Sequence, residues 1–260
     1  IMQTIHLYDL LEIQKIRETE IQIVSNLSFL PVNENNLVYK AARLLQEEFA
    51  LTDGISVKLT KRIPVAAGMA GGSTDAAAML YAMNQLYDLG LSRRELMKRG
   101  VQIGADVPYC LMRGTALAEG IGEKLTQLPP MIKCPVLIAK PSISVSTKFV
   151  YQNLKLDEQT NHPDIDALMK DIREKDFDGV CAHMGNVLES VTIPNYPVIA
   201  EIKQQMMRSG AKASMMSGSG PTVFGLFEDG ETAKRALREM KRSGLAKQVY
   251  LTTIYNNRRK

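Results

Sequence analysis

Pro64-Val65-Ala66-Ala67-Gly68-Met69-Ala70-Gly71-Gly72-Ser73-Thr74-Asp75-Ala76-Ala77 is the stretch on which the fold turns. Ahead of it Ile55, Val57 and Leu59 alternate with Ser56, Lys58 and Thr60, the period of a half-buried strand. Behind it Ala77, Leu80, Met83 and Tyr87 recur at three- and four-residue steps and predict an amphipathic helix over about residues 73–87. A strand that enters a glycine-rich turn and leaves as a helix brings free backbone N–H groups and the positive end of a helix dipole to one point. Such a point suits an anion, phosphate above all, because glycine lets the backbone come close to the ligand. Residues Ala67, Gly68, Met69, Ala70, Gly71, Gly72, Ser73 and Thr74 are the candidate phosphate ligands, the last two with hydroxyls that can also bond a metal ion. The loop has no Gly-Lys-Ser/Thr and no dinucleotide fingerprint. Its plain alternative is a tight strand-to-helix turn capped by Ser73, Thr74 or Asp75, and on the loop alone both readings stand.

Working outward, residues 1–14 begin as a strand and residues 21–24 form a short β-branched run. Asn35 or Asn36 can cap a helix running through Leu37, Ala41, Leu44, Leu45 and Glu48. Ser92 and Glu95 form a capping box for a further helix, which Gly100 is expected to end. Asp106 in Gly104-Ala105-Asp106-Val107-Pro108 reads without context as a helix cap or turn former. Leu128-Pro129-Pro130 marks the expected domain boundary, giving units over 1–128 and 129–260. Beyond it a strand is expected over 136–139, helices over 165–174 and 197–209, and then strand 213–216, glycine-rich turn, strand 223–227, helix 231–243 and strand 248–253. That order predicts an α+β class, a sheet with helices on one side.

The 260 residues are 45% apolar and 23% charged, enough apolar material for a core of ordinary size. The net charge of +4 is compatible with a phosphorylated substrate, and the Lys and Arg are dispersed apart from the tail Arg258-Arg259-Lys260, which reads as a solvated end. A nucleic-acid partner is therefore not expected. Cys110, Cys134 and Cys181 are odd in number and without metal spacing, which predicts reduced thiols and a cytoplasmic protein. No run of apolar residues approaches a membrane span, so no membrane partner is expected, and no signal peptide is visible. None of His6, His162 and His183 lies in a motif.

Residues 64–77 resemble the second motif of the GHMP kinases, the galacto-, homoserine, mevalonate and phosphomevalonate kinase family, with Met69 and Ala70 where Leu and Gly are commoner. Gly104-Ala105-Asp106-Val107-Pro108, Gly114-Thr115-Ala116 and Gly120-Ile121-Gly122-Glu123 are similar to the branch of the family that phosphorylates a cytidine-diphosphate-linked small molecule for isoprenoid precursors. Met216-Ser217-Gly218-Ser219-Gly220-Pro221-Thr222 resembles the third motif, and Lys140-Pro141-Ser142 with residues 146–151 matches the same branch. The resemblance implies a two-domain GHMP-kinase fold, with an N-terminal domain like the second domain of ribosomal protein S5 and a ferredoxin-like C-terminal domain. It implies ATP as co-substrate, Mg²⁺ as its partner with protein ligands left open, and a monomer or weak homodimer.

By the same resemblance Asp106 is the catalytic carboxylate, and Asn36, Leu37 and Lys61 are expected at adenine. Thr147, Tyr151, Gly218, Ser219 and Gly220 are expected at the substrate, with the Tyr151 ring against cytosine. For Asn36 a capping role, and for Tyr151 a half-buried packing role, stand beside those expectations. The family also carries a lysine that pairs with the Asp, and a Tyr-His pair at cytosine, in a segment expected to precede Ile1. The alternatives are another small-molecule kinase of the family, for homoserine or mevalonate, and a non-catalytic nucleotide- or sugar-binding protein on the same fold.

Overall fold

The structure, a computed structural model, describes residues 1–157, 160 and 162–256, so the basic tail at 258–260 lies outside the described residues. Its first half runs β1 (Met2–Gln3), β2 (Leu10–Ile16), β3 (Ile21–Ser25), α1 (Leu37–Glu48), β4 (Gly54–Thr60), α2 (Gly71–Leu86), α3 (Arg93–Ile103), α4 (Val107–Met112), β5 (Thr115–Glu119) and β6 (Lys124–Gln127). The second half runs β7 (Pro135–Lys140), α5 (Thr147–Asn153), α6 (Ile165–Glu174), α7 (Phe177–His183), α8 (Glu189–Asn195), α9 (Val198–Arg208), β8 (Ala213–Met216), β9 (Val223–Leu226), α10 (Gly230–Ser243) and β10 (Gln248–Thr253).

The expected strand over residues 1–14 is two strands in different sheets. Met2 and Gln3 pair with Ala116 and Thr115, in a sheet of order β1-β5-β6. Leu10 to Ile16 pair antiparallel with Thr60 to Gly54, in a sheet of order β2-β4-β3. The break arises because the intervening backbone is drawn elsewhere. Ile5 bridges Ile254, the His6 N–H donates to the Thr253 carbonyl at 2.9 Å, and the Tyr255 N–H donates to the Thr4 carbonyl at 2.9 Å.

β3 and β4 are parallel, which requires a crossover, and α1 supplies it. Asn36 starts α1 by accepting the Val38 N–H at 2.9 Å and donates its own amide to the Pro31 carbonyl at 2.7 Å. α2 is the central helix of this half. Its Met79, Leu80 and Met83 are fully buried against Val38, Ala41 and Leu45 of α1 and Val57 and Leu59 of β4, in one cluster. Each of those three side chains contributes about 1.5–3 kcal/mol of burial free energy.

Ser92 and Glu95 form the expected capping box of α3. Gly100 does not end that helix, which continues to Ile103 with Gly104 as its C-cap. The reason for a glycine there is packing rather than termination: a Cβ on Gly100 would stand 2.9 Å from Val107 Cγ1, so it is the point where α3 and α4 touch.

The second half is a β-α-β-β-α-β arrangement whose sheet reads β10-β7-β9-β8 with every pair antiparallel, the ferredoxin-like order. Leu137 and Ala139 of β7, Ile199, Ile202 and Met206 of α9, and Ala233, Ala236 and Met240 of α10 fill its larger core. β9 ends at Leu226, one residue short of the expected strand, because the Phe227 N–H turns to the Pro135 carbonyl and its ring is fully buried. Among the described residues no helix is long and apolar enough to cross a membrane.

Candidate functional site

The strand-to-helix turn is built on left-handed backbone. Ala66, Gly68 and Ala70 take φ of 49°, 68° and 50° at alternate positions. Ala70 is the N-cap of α2 and has no side-chain cap bond, so the helix starts at Gly71, two residues before the expected Ser73, and neither hydroxyl caps it. The N–H groups of Gly71, Gly72 and Ser73 fall in the first turn, where the helix offers no acceptor, whereas Thr74 closes the turn onto the Ala70 carbonyl at 2.8 Å. Gly71 must lack a side chain because a Cβ would meet Ile63 Cγ2 at 2.9 Å, but at Gly72 the nearest atom would be Leu37 Cδ1 at 3.5 Å. The departure from glycine at Ala70 has an energetic reading. A left-handed Ala costs about 1–2 kcal/mol. Ala70→Gly relieves that strain and gives back about 0.4–1 kcal/mol through the freer unfolded chain. The expected outcome is a melting temperature about 2–4 °C higher, read by a thermal scan. A lower value would mean that the packing of the Ala70 methyl against the α1–α2 core outweighs the strain.

The second glycine loop lies directly on the first. Ser217 Oγ donates to the Gly68 carbonyl at 2.7 Å across 149 residues. A Cβ built on Gly68 would fall inside the contact radius of the Ser217 carbonyl oxygen and 3.1 Å from that of Gly220. The far side of this loop is fastened as well. Asn186 donates to the Met216 and Gly218 carbonyls, both at 2.8 Å, and Glu189 Oε1 accepts the Met216 N–H at 2.7 Å. Thr147 and Ser219 share a hydroxyl–hydroxyl bond of 2.8 Å, which ties the start of α5 to the same loop. The structure thus brings Gly68, Thr147, Gly218, Ser219 and Gly220 together.

Asp106 occupies the N-cap position of α4, yet its side chain makes no cap hydrogen bond. Burial raises its carboxyl above the ordinary Asp range, and no ion pair opposes the shift. The residues on either side of it meet the start of α2: Thr74 Oγ1 lies 3.4 Å from Cys110 Sγ, and a Cβ on Gly104 would come within 3.9 Å of Ser73 Oγ. The bare face of Gly122 looks at it, with 4.0 Å between a Cβ built there and Asp106 Oδ1. Cys110 is a sealed thiol pushed up to about 12 by burial, and no reactivity is expected of it.

Lys61 lies immediately beneath the loop with Asp75, Asp9 and Asn26, the last two of which the sequence did not single out. Its ammonium is held by Asp9 and by Asp75 Oδ2, the latter at 2.7 Å, and the three side chains are 4% exposed or less. Its backbone N–H donates to Asn26 Oδ1 at 2.8 Å and its carbonyl accepts from Asn26 Nδ2 at 3.1 Å. Asp9 Oδ1 accepts the N–H groups of Arg62 and Ile63. Burial pushes the Asp75 carboxyl up to about 7; Lys61 opposes the shift and Asp9 adds to it. A signal for Lys61 was present in the sequence: Ile55, Val57, Leu59, Lys61 and Ile63 are one inward-facing series, each 7% exposed or less. A lysine in that phase needs a buried anion.

Asn36 and Leu37 sit at the start of α1, next to Gly72 through Leu37 Cδ1. Tyr151 is not half-buried: on α5, one turn beyond Thr147, it is 61% exposed, because only Val150 of that helix faces the core. Among the described residues no group of three or more His, Cys, Asp or Glu could hold a metal ion.

The two glycine loops close on each other, and the Asp106 side chain caps no helix. The GHMP kinases N terminal domain matches residues 36–114 and the GHMP kinases C terminal domain matches residues 168–246, and the chain belongs to the GHMP kinase family. A 4-diphosphocytidyl-2-C-methyl-D-erythritol kinase from Lachnospira eligens is 57% identical over 255 residues, covering 98% of this chain and 88% of the relative. One of the same name from Lachnoclostridium phytofermentans is 53% identical over 99% of this chain and 89% of its own length. Among solved structures, a 4-(cytidine 5'-diphospho)-2C-methyl-D-erythritol kinase superimposes with a TM-score of 0.82 at 28% identity, covering 97% of this chain and 88% of the other. A homoserine kinase from Cytophaga hutchinsonii shares the fold, with a TM-score of 0.80 at 22% identity, covering 95% of this chain and 86% of the other.

Proposed function

We propose that the chain transfers the γ-phosphoryl group of ATP to the 2-hydroxyl of 4-diphosphocytidyl-2-C-methyl-D-erythritol, in the non-mevalonate route to isoprenoid precursors. The observation that carries the chemistry is the half-buried Asp106 carboxylate, raised in pKa by that burial and free of any cap bond at the N-cap of α4. The choice of substrate is supported by relatives of that name at 46–57% identity.

The first-turn N–H groups of Gly71, Gly72 and Ser73, with the helix dipole behind them, bind the ATP phosphates. Residues 217–220 close onto the loop through Gly68. Asp106 takes the proton of the substrate hydroxyl as its oxygen bonds to the γ-phosphorus and the bond to the β-phosphate oxygen breaks, leaving ADP. Mg²⁺, if bound with ATP, would be held chiefly by phosphates and water with few protein oxygens. Ser73 Oγ, beside Gly104 and the phosphate loop, is a fitting oxygen, and the ion when bound neutralises charge on the phosphates. Asn36 and Leu37 flank the adenine end, and Thr147, Gly218, Ser219 and Gly220 the substrate end; Lys61, expected beside adenine, has its ammonium buried on Asp9 and Asp75 beneath the loop.

Residues 1–128 and 129–260 form the two domains, in keeping with the family matches on either side of residue 128 and with separate cores in the two halves. A cytoplasmic monomer or weak homodimer that binds no nucleic acid and no membrane completes the proposal, supported by three free thiols and dispersed charge.

The test is phosphorylation of the cytidine substrate against homoserine and mevalonate by the full-length protein. Selective turnover of the first supports the proposal, and preference for either of the others overturns the substrate. Tyr151→Ala separates the sites within it. Loss of a stack of about 1–3 kcal/mol raises KM for the cytidine substrate about 5- to 150-fold and leaves KM for ATP in place. Equal values for both constants in wild type and variant would leave the ring without a role at cytosine.

A further inference from the structure

The phosphate loop leaves one residue pair and returns to another, and a single ammonium joins them. Lys61 stands where the chain leaves β4 and Asp75 is on the second turn of α2, so the 2.7 Å bond from Lys61 Nζ to Asp75 Oδ2 spans the base of the loop. Asp9 anchors the entry side by holding the same ammonium and the next two backbone N–H groups, those of Arg62 and Ile63. Asn26 pins Lys61 by both backbone groups. The ammonium also reaches under the first helical residue, 3.4 Å from where a Cβ on Gly71 would be.

Stability alone gives a poor account of this cluster. Two carboxylates share one ammonium in a space that water does not enter, and Asp75 Oδ1 has no hydrogen-bond partner. Burying charge in that ratio costs free energy, and apolar residues of the same shape are often as stable or more so. What charged groups provide here and apolar ones do not is direction: fixed bonds between the strand that enters the loop and the helix that leaves it.

We infer that Asp9, Lys61 and Asp75 are positioning residues whose bridge sets the spacing of the backbone N–H groups that hold the ATP phosphates. The inference rests on the phosphate-loop assignment made above. Asp75→Asn keeps an oxygen for the ammonium, whereas Asp75→Leu has similar volume and no acceptor. Asp75→Leu alone leaves Lys61 paired one to one with Asp9, and the triple variant Asp9→Asn/Lys61→Met/Asp75→Leu removes every charge of the cluster and guards against misfolding.

In the full-length protein, titrated calorimetrically with ATP and Mg²⁺, Asp75→Asn is expected to bind within about threefold of wild type. Asp75→Leu and the triple variant are expected to bind about tenfold or more weakly, a loss of about 1.4 kcal/mol. KM for ATP should follow the same order while KM for the second substrate stays in place. The triple variant, with no buried charge left, should melt no lower than wild type, so that weakened binding is separated from unfolding. Wild-type affinity in the triple variant overturns the inference alone. Failure of the wild type itself to bind ATP overturns the phosphate-loop assignment and the inference with it.

Discussion

Asp106→Asn is expected to lower turnover by about 10²–10⁴-fold, the usual contribution of a positioned proton acceptor. Asparagine matches the carboxylate in shape, and the structure shows no cap bond that the exchange could break. The melting temperature is therefore expected to hold or rise, since a carboxylate whose ionised form is disfavoured by burial is removed. ATP affinity should stay within a few-fold, because the loop N–H groups are untouched. The pH dependence follows from the sign of the shift. A base works only when deprotonated, and burial raises this one, so wild-type turnover should fall on the acid side at a pH above the ordinary Asp range of about 4. Single-turnover rates across pH, calorimetry with ATP and a thermal scan give the three readouts together. Turnover of Asp106→Asn within a few-fold of wild type would leave the residue as a turn former and remove the basis for the proton step.

Gly68→Ala is expected to produce the second large effect, this time on closure of the site. The new methyl would collide with the Ser217 carbonyl and crowd the Gly220 backbone, at 3.1 Å from its oxygen and 3.2 Å from its nitrogen. Backbone atoms cannot escape by changing rotamer, and the φ of 68° adds the left-handed cost. Strain and overpacking together amount to about 2–5 kcal/mol. The two loops must separate or distort, so ATP affinity and thermal stability should fall together. Gly72→Ala is the control: its methyl meets only Leu37 Cδ1, at an ordinary contact distance of 3.5 Å. Its melting temperature should lie close to wild type. If Gly68→Ala matched that control by calorimetry and thermal scan, the contact between the loops would have no energetic weight.

Much of the fold was legible because its signals are local. Period-two and period-3.6 runs gave β4, α1, α2, α6, α9, α10 and β10 to within a few residues, and the capping box gave α3 its start. What was not legible depends on distant partners. The break between β1 and β2 is made by backbone near Ile254, and the retention of Gly100 inside α3 by the side chain of Val107. α4, of six residues, and α8, with Pro194 inside it and no side-chain cap, have no periodic run long enough to announce them. At the site, the glycine loops and Asp106 were visible in the sequence as motifs, but their contact across 149 residues was not. By resemblance Lys61 is expected at adenine, and Asp75 reads as a cap; their buried ion pair was written in the inward phase of Lys61 in the alternation that defined β4, with Asp75 on the same helix face as Met79 and Leu80.

The pairing of residues 4–6 with residues 253–255 bears on how the protein is made. Ile254 is synthesised 249 residues after Ile5 (254 − 5), and at about 5–20 residues per second a ribosome needs roughly 12–50 seconds to cover that distance. The α1–α2 core can gather as soon as its own residues emerge, while the segment beside β1 waits with its backbone groups unpaired. The segment at residues 253–255 therefore acts as a latch that fastens only once it has itself been synthesised. Nascent chains paused before residue 250 should display residues 4–6 to a protease that the finished protein resists.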